Sequence, residues 1–465
     1  KHRLMLFHST RGADKNKSFE EILMQGLASD GGLFMPDEWP QVDLNLLKKQ
    51  KTFIDVAKHI VPLYTSSSFM ESEVVELLDD TWHDFSNESF APIYKLDEEK
   101  SVLELFHGPT GAFKDFGLQL AAAFFNKTLQ KNKKTAVVLG ATSGDTGSAA
   151  IDACKKFSSI KSFILLPDRN MSDIQRRQMT TVNSDNVFTI LVDGSFDDCQ
   201  DIVKQGFQER SFLKDDQYLL AVNSINWVRI IGQICYYFYA SLVVNNFSKS
   251  LNFSVPTGNF GNVFACYAAN KMGMPLEKII VAVNDNNILD RFFRSNDYSK
   301  KAVSETLSPS MDISVASNFE RLVYDLYAER DSKICAKLYT AFPNAPIELD
   351  EKIWMKSKGI FLSHTVRNDD TIANMRYVKD TYNYLVDPHT AVGTSSVDSL
   401  SKKLTGHTLI LSTAHPAKFP DVVKKAGLEL SEVPRSLSDA MQGKEYGVKM
   451  PASKDDIFKF IIKNN

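Results

Sequence analysis

The sequence predicts an α/β protein built from two open, mostly parallel α/β domains that face each other across a ligand crevice, plus an N-terminal extension. Three observations predict this. At 465 residues the chain is long enough for two or three domains. Its β-branched runs are continuously apolar rather than alternating, and helical patterns separate them, as in parallel sheets covered on both faces. Several of these runs end in loops rich in glycine and hydroxyl residues that lead into a helix, where open α/β sheets bind ligands.

The elements follow in order. In residues 1–100, Ser9-Thr10-Arg11-Gly12 comes after a strand-like start, and Ser18 is placed to cap a helix carrying Glu20 and Glu21 in its first turn. Residues 30–36 form a turn into an extended segment. Residues 45–85 show helical spacing. This region is expected to be a cap or appendage, with chemistry only at Arg11. Residues 101–225 read as a smaller α/β domain with strands at 135–139, 162–167 and 187–192. Residues 226–465 read as a larger one, with strands at 251–255, 278–283, 359–363 and 407–412 and helices at 263–271 and 319–328. The apolar run 230–244 is broken by Gly232, Gln233 and Ser241, too short and mixed to span a bilayer, and reads as a buried core helix.

Bulk properties narrow the function. A net charge of -3 argues against a general nucleic-acid binder, and 43% hydrophobic with 24% charged residues is ordinary for a globular chain. The five cysteines are odd in number and widely spaced, with no C-x-x-C pair, which points to a reducing compartment and to neither a disulfide framework nor a zinc site. The start of the chain lacks signal-peptide features. A cytoplasmic enzyme acting on a small molecule is expected, without membrane or nucleic-acid partners. Monomer and homodimer both stay open.

The centre of the chemistry is His107-Gly108-Pro109-Thr110-Gly111-Ala112-Phe113-Lys114-Asp115-Phe116-Gly117. It sets Lys114 between two phenylalanines near a helix start. A lysine so placed reads as an ordinary solvated residue or as a desolvated amine with a lowered pKa, able to form a Schiff base with a carbonyl. Two further loops favour the second reading. Gly140-Ala141-Thr142-Ser143-Gly144-Asp145-Thr146-Gly147 follows a strand and offers helix-start N–H groups and hydroxyls to an anion, or is a tight turn with a helix cap. It is not a Walker A loop. Val255-Pro256-Thr257-Gly258-Asn259-Phe260-Gly261-Asn262 also joins a strand to a helix and lacks acids, which suits a phosphate; it is not a dinucleotide fingerprint. A third strand end, Thr413-Ala414-His415-Pro416-Ala417-Lys418, offers a hydroxyl for a ring nitrogen, while His415 reads as a turn residue. One nested lysine and three strand-end loops suit a cofactor with a carbonyl and a phosphate, namely pyridoxal 5'-phosphate.

Ser9-Thr10-Arg11-Gly12, Asp30-Gly31-Gly32-Leu33, the run from His107 to Gly117, Thr142 to Gly147, Asn223-Ser224-Ile225-Asn226 and Thr413 to Lys418 resemble the threonine synthase family in order and approximate spacing, from residue 9 to about 420. The resemblance is to the longer bacterial and fungal type. It implies a tryptophan-synthase-β-like fold in which Lys114 holds the cofactor. Gly258, Asn259, Phe260, Gly261 and Asn262 would bind its phosphate, and Thr413 its ring nitrogen. Phe113 and Phe116 read equally as pocket wall or core. The implied substrate is O-phospho-L-homoserine, converted with water to L-threonine and phosphate by γ-elimination and β-addition, with Lys114 moving the protons. Thr142, Ser143, Gly144, Asp145 and Thr146 would hold the substrate carboxylate, with Asp145 an awkward neighbour for it. Arg11 is the first candidate for the substrate phosphate, with Arg229 and Lys418 behind it. A phospholyase relative and a non-catalytic metabolite binder are the alternatives. A dehydrogenase is disfavoured by the missing fingerprint.

Overall fold

The computed structural model describes residues 4–169 and 171–465. In chain order its strands are β1 (Phe7–Ser9), β2 (Phe34–Pro36), β3 (Ile93–Lys95), β4 (Lys100–Glu104), β5 (Thr135–Ala141), β6 (Ile160–Pro167) and β7 (Val187–Asp193). There follow β8 (Gln217–Leu220), β9 (Leu251–Pro256), β10 (Leu276–Val283), β11 (Phe361–Thr365), β12 (Thr408–Ser412) and β13 (Val448–Pro451). A six-stranded sheet runs β11-β10-β9-β12-β4-β3, parallel except where β3 meets β4. A five-stranded sheet runs β13-β7-β6-β5-β8 and is parallel throughout. Every residue of β9 and β12 is buried, as the continuous apolar runs required.

Sheet membership cuts across the divisions expected at residues 100 and 225. β4 lies just after residue 100 yet pairs with β12, and β13 returns from the C-terminal region to pair with β7. Parallel neighbours are chosen by crossover, not by chain order. β13 is short and half-exposed, with a proline at its end, so the sequence carried no strand signal for it. The helix expected over 319–328 is α-helical at Phe319–Leu322 and widens to a π-turn at Val323–Tyr327, where the Ala328 N–H donates to Val323 O at 2.8 Å.

The N-terminal region is no detached cap. Trp82 donates its indole N–H to Phe116 O at 3.0 Å, and Phe53 packs edge-on against Trp82 and Phe116 at 5.1 and 5.4 Å. These rings continue the core that surrounds the long helix Trp227–Asn245. That helix is apolar and long enough to cross a membrane, but 89% of the stretch is buried inside the fold, so it serves as the core helix.

The core helix crosses the helix Lys114–Asn132 at two glycines. A Cβ on Gly232 would stand 3.0 Å from Gly117 Cα and from Phe116 O, and one on Gly117 would stand 3.1 Å from Arg229 Cα. Backbone faces backbone there, so neither side can yield by turning a side chain. This contact sets the height of Lys114 relative to Arg229. We expect Gly232→Ala to cost roughly 1–3 kcal/mol by overpacking, read as a lower urea midpoint with an unchanged slope.

Candidate active site

The cleft between the two sheets is built from strand ends. After β12, Thr413 O accepts the Phe113 N–H at 2.9 Å, and the His415 N–H donates to Gly111 O at 2.9 Å. The lysine loop is thus stitched to the end of a buried strand. Gly111 takes φ +73°, a left-handed turn that a side chain would strain. Asp115 accepts the Thr110 N–H at 2.9 Å and its hydroxyl at 2.7 Å, which closes the loop from inside. Burial, then Asp152, pushes the Asp115 carboxyl up to about 7. Lys114 begins the helix and lines the cleft. Burial pushes its ammonium down to about 8; Asp145 opposes this, while Arg229 and Lys418 add to it.

The second sheet contributes the helix Asp145–Cys154 that follows β5. Asp145 is buried and forms an ion pair with Lys418 at 2.7 Å. It also accepts from Gln175 Nε2 at 3.3 Å and Ser310 Oγ at 3.2 Å. Burial alone would raise its pKa, but Lys418 and then Lys114 overcome this and hold the carboxyl far below the usual carboxylate range. Asp145 is therefore ionised and faces the lysines. Thr146 also lines the cleft, whereas Thr142, Ser143 and Gly144 do not. The Thr142 hydroxyl is spent inside the loop, accepting the N–H groups of Gly144 at 3.1 Å and Gly147 at 2.9 Å. Ser143 is exposed.

Gly258, Asn259, Phe260, Gly261 and Asn262 all line the cleft. Phe260 is buried at φ +67°, a strained conformation for a bulky residue. It turns the chain into the helix Gly261–Lys271, whose first turn carries no acid and no side-chain cap. Its leading N–H groups are the kind that take up an anion. A Cβ on Gly258 would stand 3.0 Å from Met311 Cα, so only glycine lets the loop lie against residues 310 and 311. Tyr236 and Tyr237 donate to Asn262 Oδ1, fixing the amide, and leave Asn262 Nδ2 buried without a partner among the described residues. An orphaned donor beside open helix N–H groups fits the phosphate of pyridoxal phosphate. Thr413 lines the cleft with its hydroxyl making no hydrogen bond among the described residues, which fits a ring-nitrogen partner.

Other expected residues fall elsewhere. Arg11 does not line the cleft. Its Nε and Nη2 grip Glu320 at 2.9 and 3.0 Å, and its guanidinium sits over the Tyr339 ring. It ties the N-terminal region to the Phe319–Leu322 helix, and Glu320 already takes both faces of its fork. Phe113 is cleft wall, while Phe116 is core, edge-on to Phe85 at 4.9 Å. His415 accepts from the Ala417 N–H at 3.0 Å and is held neutral, its pKa pushed by burial down to about 4, as a turn residue.

Sequence reasoning missed His389 and Ser310. His389 is buried, donates Nδ1–H to Asp387 at 2.8 Å, and accepts the Ser310 N–H at Nε2 at 3.2 Å, which assigns its tautomer. The signal present was Asp387-Pro388, an N-cap followed by proline at the first helical position.

A primary amine with a lowered pKa, a phosphate cradle and a free hydroxyl in one cleft define a pyridoxal-phosphate-dependent enzyme. Residues 101–338 match the family model for pyridoxal-phosphate dependent enzymes. Residues 6–82 match the threonine synthase N terminus and residues 390–461 the threonine synthase C-terminal model. Threonine synthase from Pseudomonas aeruginosa is 40% identical over 464 residues, covering 99% of this chain and 98% of that protein. The crystal structure of pyridoxal-phosphate-bound threonine synthase from Brucella melitensis superposes with a TM-score of 0.94 at 37% identity, over 99% of both chains. The yeast threonine synthase structure gives 0.92 at 38% identity, over 98% of both. The chain belongs to the threonine synthase family.

Two outcomes follow from the charges around Lys114. The neutral amine is the reactive form, so capture of pyridoxal phosphate by the apoprotein, followed by absorbance, should rise with pH through about 8 and vanish in Lys114→Ala. Asp145→Asn removes the anion that favours the charged amine, so that midpoint should move to lower pH. It also leaves Lys418 buried without its counter-charge, a loss of about 3–5 kcal/mol by chemical denaturation.

Proposed function

We propose that this chain converts O-phospho-L-homoserine and water to L-threonine and phosphate, the last step of threonine biosynthesis. The observation that carries the reading is the meeting of Lys114, the 258–262 cradle and Thr413 in one cleft of a chain that is threonine synthase family over its whole length. When bound, pyridoxal phosphate supplies an aldehyde for amines and a ring that takes up the electron pair left by a departing proton.

The chain's own groups do the rest. Lys114 would hold the cofactor at Nζ. Gly261 and Asn262 would hold its phosphate through backbone N–H and Nδ2, and Thr413 Oγ1 would meet the ring nitrogen. Lys114 Nζ would take the proton from the substrate Cα and serve the transfers at Cβ and Cγ, because an amine titrating near 8 both accepts and returns protons at neutral pH. Asp145 stays ionised between Lys114 and Lys418 and tunes that titration. As a partner of the substrate carboxylate it is unsuited; Thr146 and the N–H groups at the start of its helix remain for that role. His389, locked by Asp387, orients Ser310 against Asp145. The five cysteines are free and buried, which supports a reducing, cytoplasmic setting.

The test is product analysis of the holoenzyme with O-phosphohomoserine. Threonine and phosphate in equal amounts are expected. Phosphate with 2-oxobutyrate and ammonia, and no threonine, would replace this reading with a phospholyase. Lys114→Ala should lose turnover entirely while Thr413→Ala keeps a reduced rate.

A further inference from the structure

Lys114 lies beside a carboxylate that it does not grip. Asp145 bears on it through charge alone, while Asp145 Oδ1 pairs with Lys418 Nζ at 2.7 Å. An ammonium hydrogen-bonded to a buried carboxylate would be held in its charged, unreactive form. The second oxygen of Asp145 is occupied elsewhere. Oδ2 accepts from Ser310 Oγ at 3.2 Å, its one hydrogen bond among the described residues.

Ser310 reaches Asp145 across the cleft. It sits on the Pro309–Met311 turn, on the side of the six-stranded sheet, whereas Asp145 follows β5 of the other sheet. The far side of that turn is pinned by Asn284 and Asn286, whose Nδ2 groups donate to Asp312 Oδ1 at 2.9 Å. The near side is pinned by His389, whose Nε2 accepts the Ser310 N–H at 3.2 Å. His389 is itself fixed by Asp387, which is fully buried. Asp387 accepts Nδ1–H at 2.8 Å and the N–H groups of His389 and Thr390 at 3.0 and 3.1 Å. These residues start the helix Pro388–Leu400, which is locked to β9. Ser254 Oγ donates to Gly393 O at 2.8 Å, and a Cβ on Gly393 would stand 3.0 Å from Pro256 Cγ. A rigid chain of contacts thus runs from β9 through Asp387, His389 and Ser310 to Asp145. A buried His–Asp pair in a cleft invites a general-base reading. Here one ring nitrogen already accepts a main-chain N–H and the other already donates, so neither is free to move a proton.

The charged groups that bear on Lys114 are Asp145 from the five-stranded sheet, Arg229 from the core helix and Lys418 from the segment after β12. Asp115, next in sequence, is turned into the loop against Thr110. Of the three, Asp145 alone favours the ammonium, so its orientation decides how strongly the amine is held charged.

We propose that His389 and Asp387 are positioning residues for Lys114: they hold Ser310 on Asp145 Oδ2 and so keep that carboxylate from closing a hydrogen bond on the lysine amine. The inference rests on the reading of Lys114 as the amine that holds the cofactor.

The experiment measures, by absorbance, the pH midpoint for capture of pyridoxal phosphate by the full-length apoprotein. Wild type is compared with Ser310→Ala, His389→Leu, His389→Gln and the double variant Ser310→Ala/His389→Leu. Ser310→Ala should raise the midpoint from about 8 by roughly one unit, because the freed Oδ2 then takes the ammonium as its donor. That shift is opposite to the one expected for Asp145→Asn. His389→Leu should move the midpoint the same way as Ser310→Ala. His389→Gln, whose amide oxygen can accept the Ser310 N–H, should return most of the way to wild type. The double variant should shift no further than Ser310→Ala alone. A lowered urea midpoint with an unchanged pH midpoint in His389→Leu would make the histidine structural and overturn the proposal. Additive shifts in the double variant, or a downward shift in Ser310→Ala, would overturn it as well. Should His389→Leu fail to fold, Ser310→Ala still decides, since an unmoved midpoint there removes the link to Lys114. Capture by Lys114→Ala equal to wild type would instead overturn the reading of Lys114, and the proposal with it.

Discussion

Asp145 is the one carboxylate lining the cleft among the described residues, and it stands opposite Lys114 and Lys418 with Arg229 nearby. Three cations and one anion would be an ordinary surface cluster in water, each pair worth about 1 kcal/mol or less. Out of water, the same groups decide each other's protonation. Burial first lowers the Lys114 pKa; Arg229 and Lys418 add to this and Asp145 resists it, leaving the amine at about 8. Without Asp145 the pocket would hold uncompensated positive charge. Without the cations its carboxyl would be raised by burial, as happens to Asp115 one residue past the lysine. The reactivity of the lysine is thus a property of the cluster.

The fold exists, in this sense, to hold that cluster at fixed distances. The lysine arrives on a loop stitched by two backbone hydrogen bonds to the end of β12. Asp145 arrives from the five-stranded sheet, and Lys418 from the segment after β12. Ser310 reaches Asp145 from a loop held by His389. Contacts from both sheets converge on a single carboxylate, so any relative movement of the sheets changes the charge seen by Lys114. The paired glycines of the helix crossing remove the other freedom, sliding of the lysine helix along the core helix.

Local signals carried much of this. The strands β5, β6, β7, β9 and β10 are apolar runs that end in loops, and their signal lies within six to eight consecutive residues. The strand–loop–helix pattern likewise marked Lys114, Asp145 and the 258–262 loop, because glycine, hydroxyl residues and a helix start lie side by side in sequence. What stayed hidden was pairing across distance. β13 joins β7 only through a crossover from the far end of the chain. Ser310 is 165 residues from the carboxylate it meets. His389 is marked locally by its cap, but nothing local says that it faces Ser310.

Arg11 and Arg229 show the same limit from the side of charge. In sequence, Arg11 had the better claim: a glycine turn, hydroxyl neighbours and a cation, the composition of an anion site. Arg229, in an apolar helix, stood behind it as a candidate. The structure reverses them because charge is a matter of partners. Glu320, 309 residues away, takes both faces of the Arg11 fork, and Thr10 donates to the same carboxylate at 2.7 Å. That turns the Ser9–Gly12 stretch into a dock for the N-terminal region. Arg229 meets only a carbonyl seven residues upstream. An arginine in a hydrophobic run is a poor helix-core residue unless something repays its desolvation, and here no protein group among those described does.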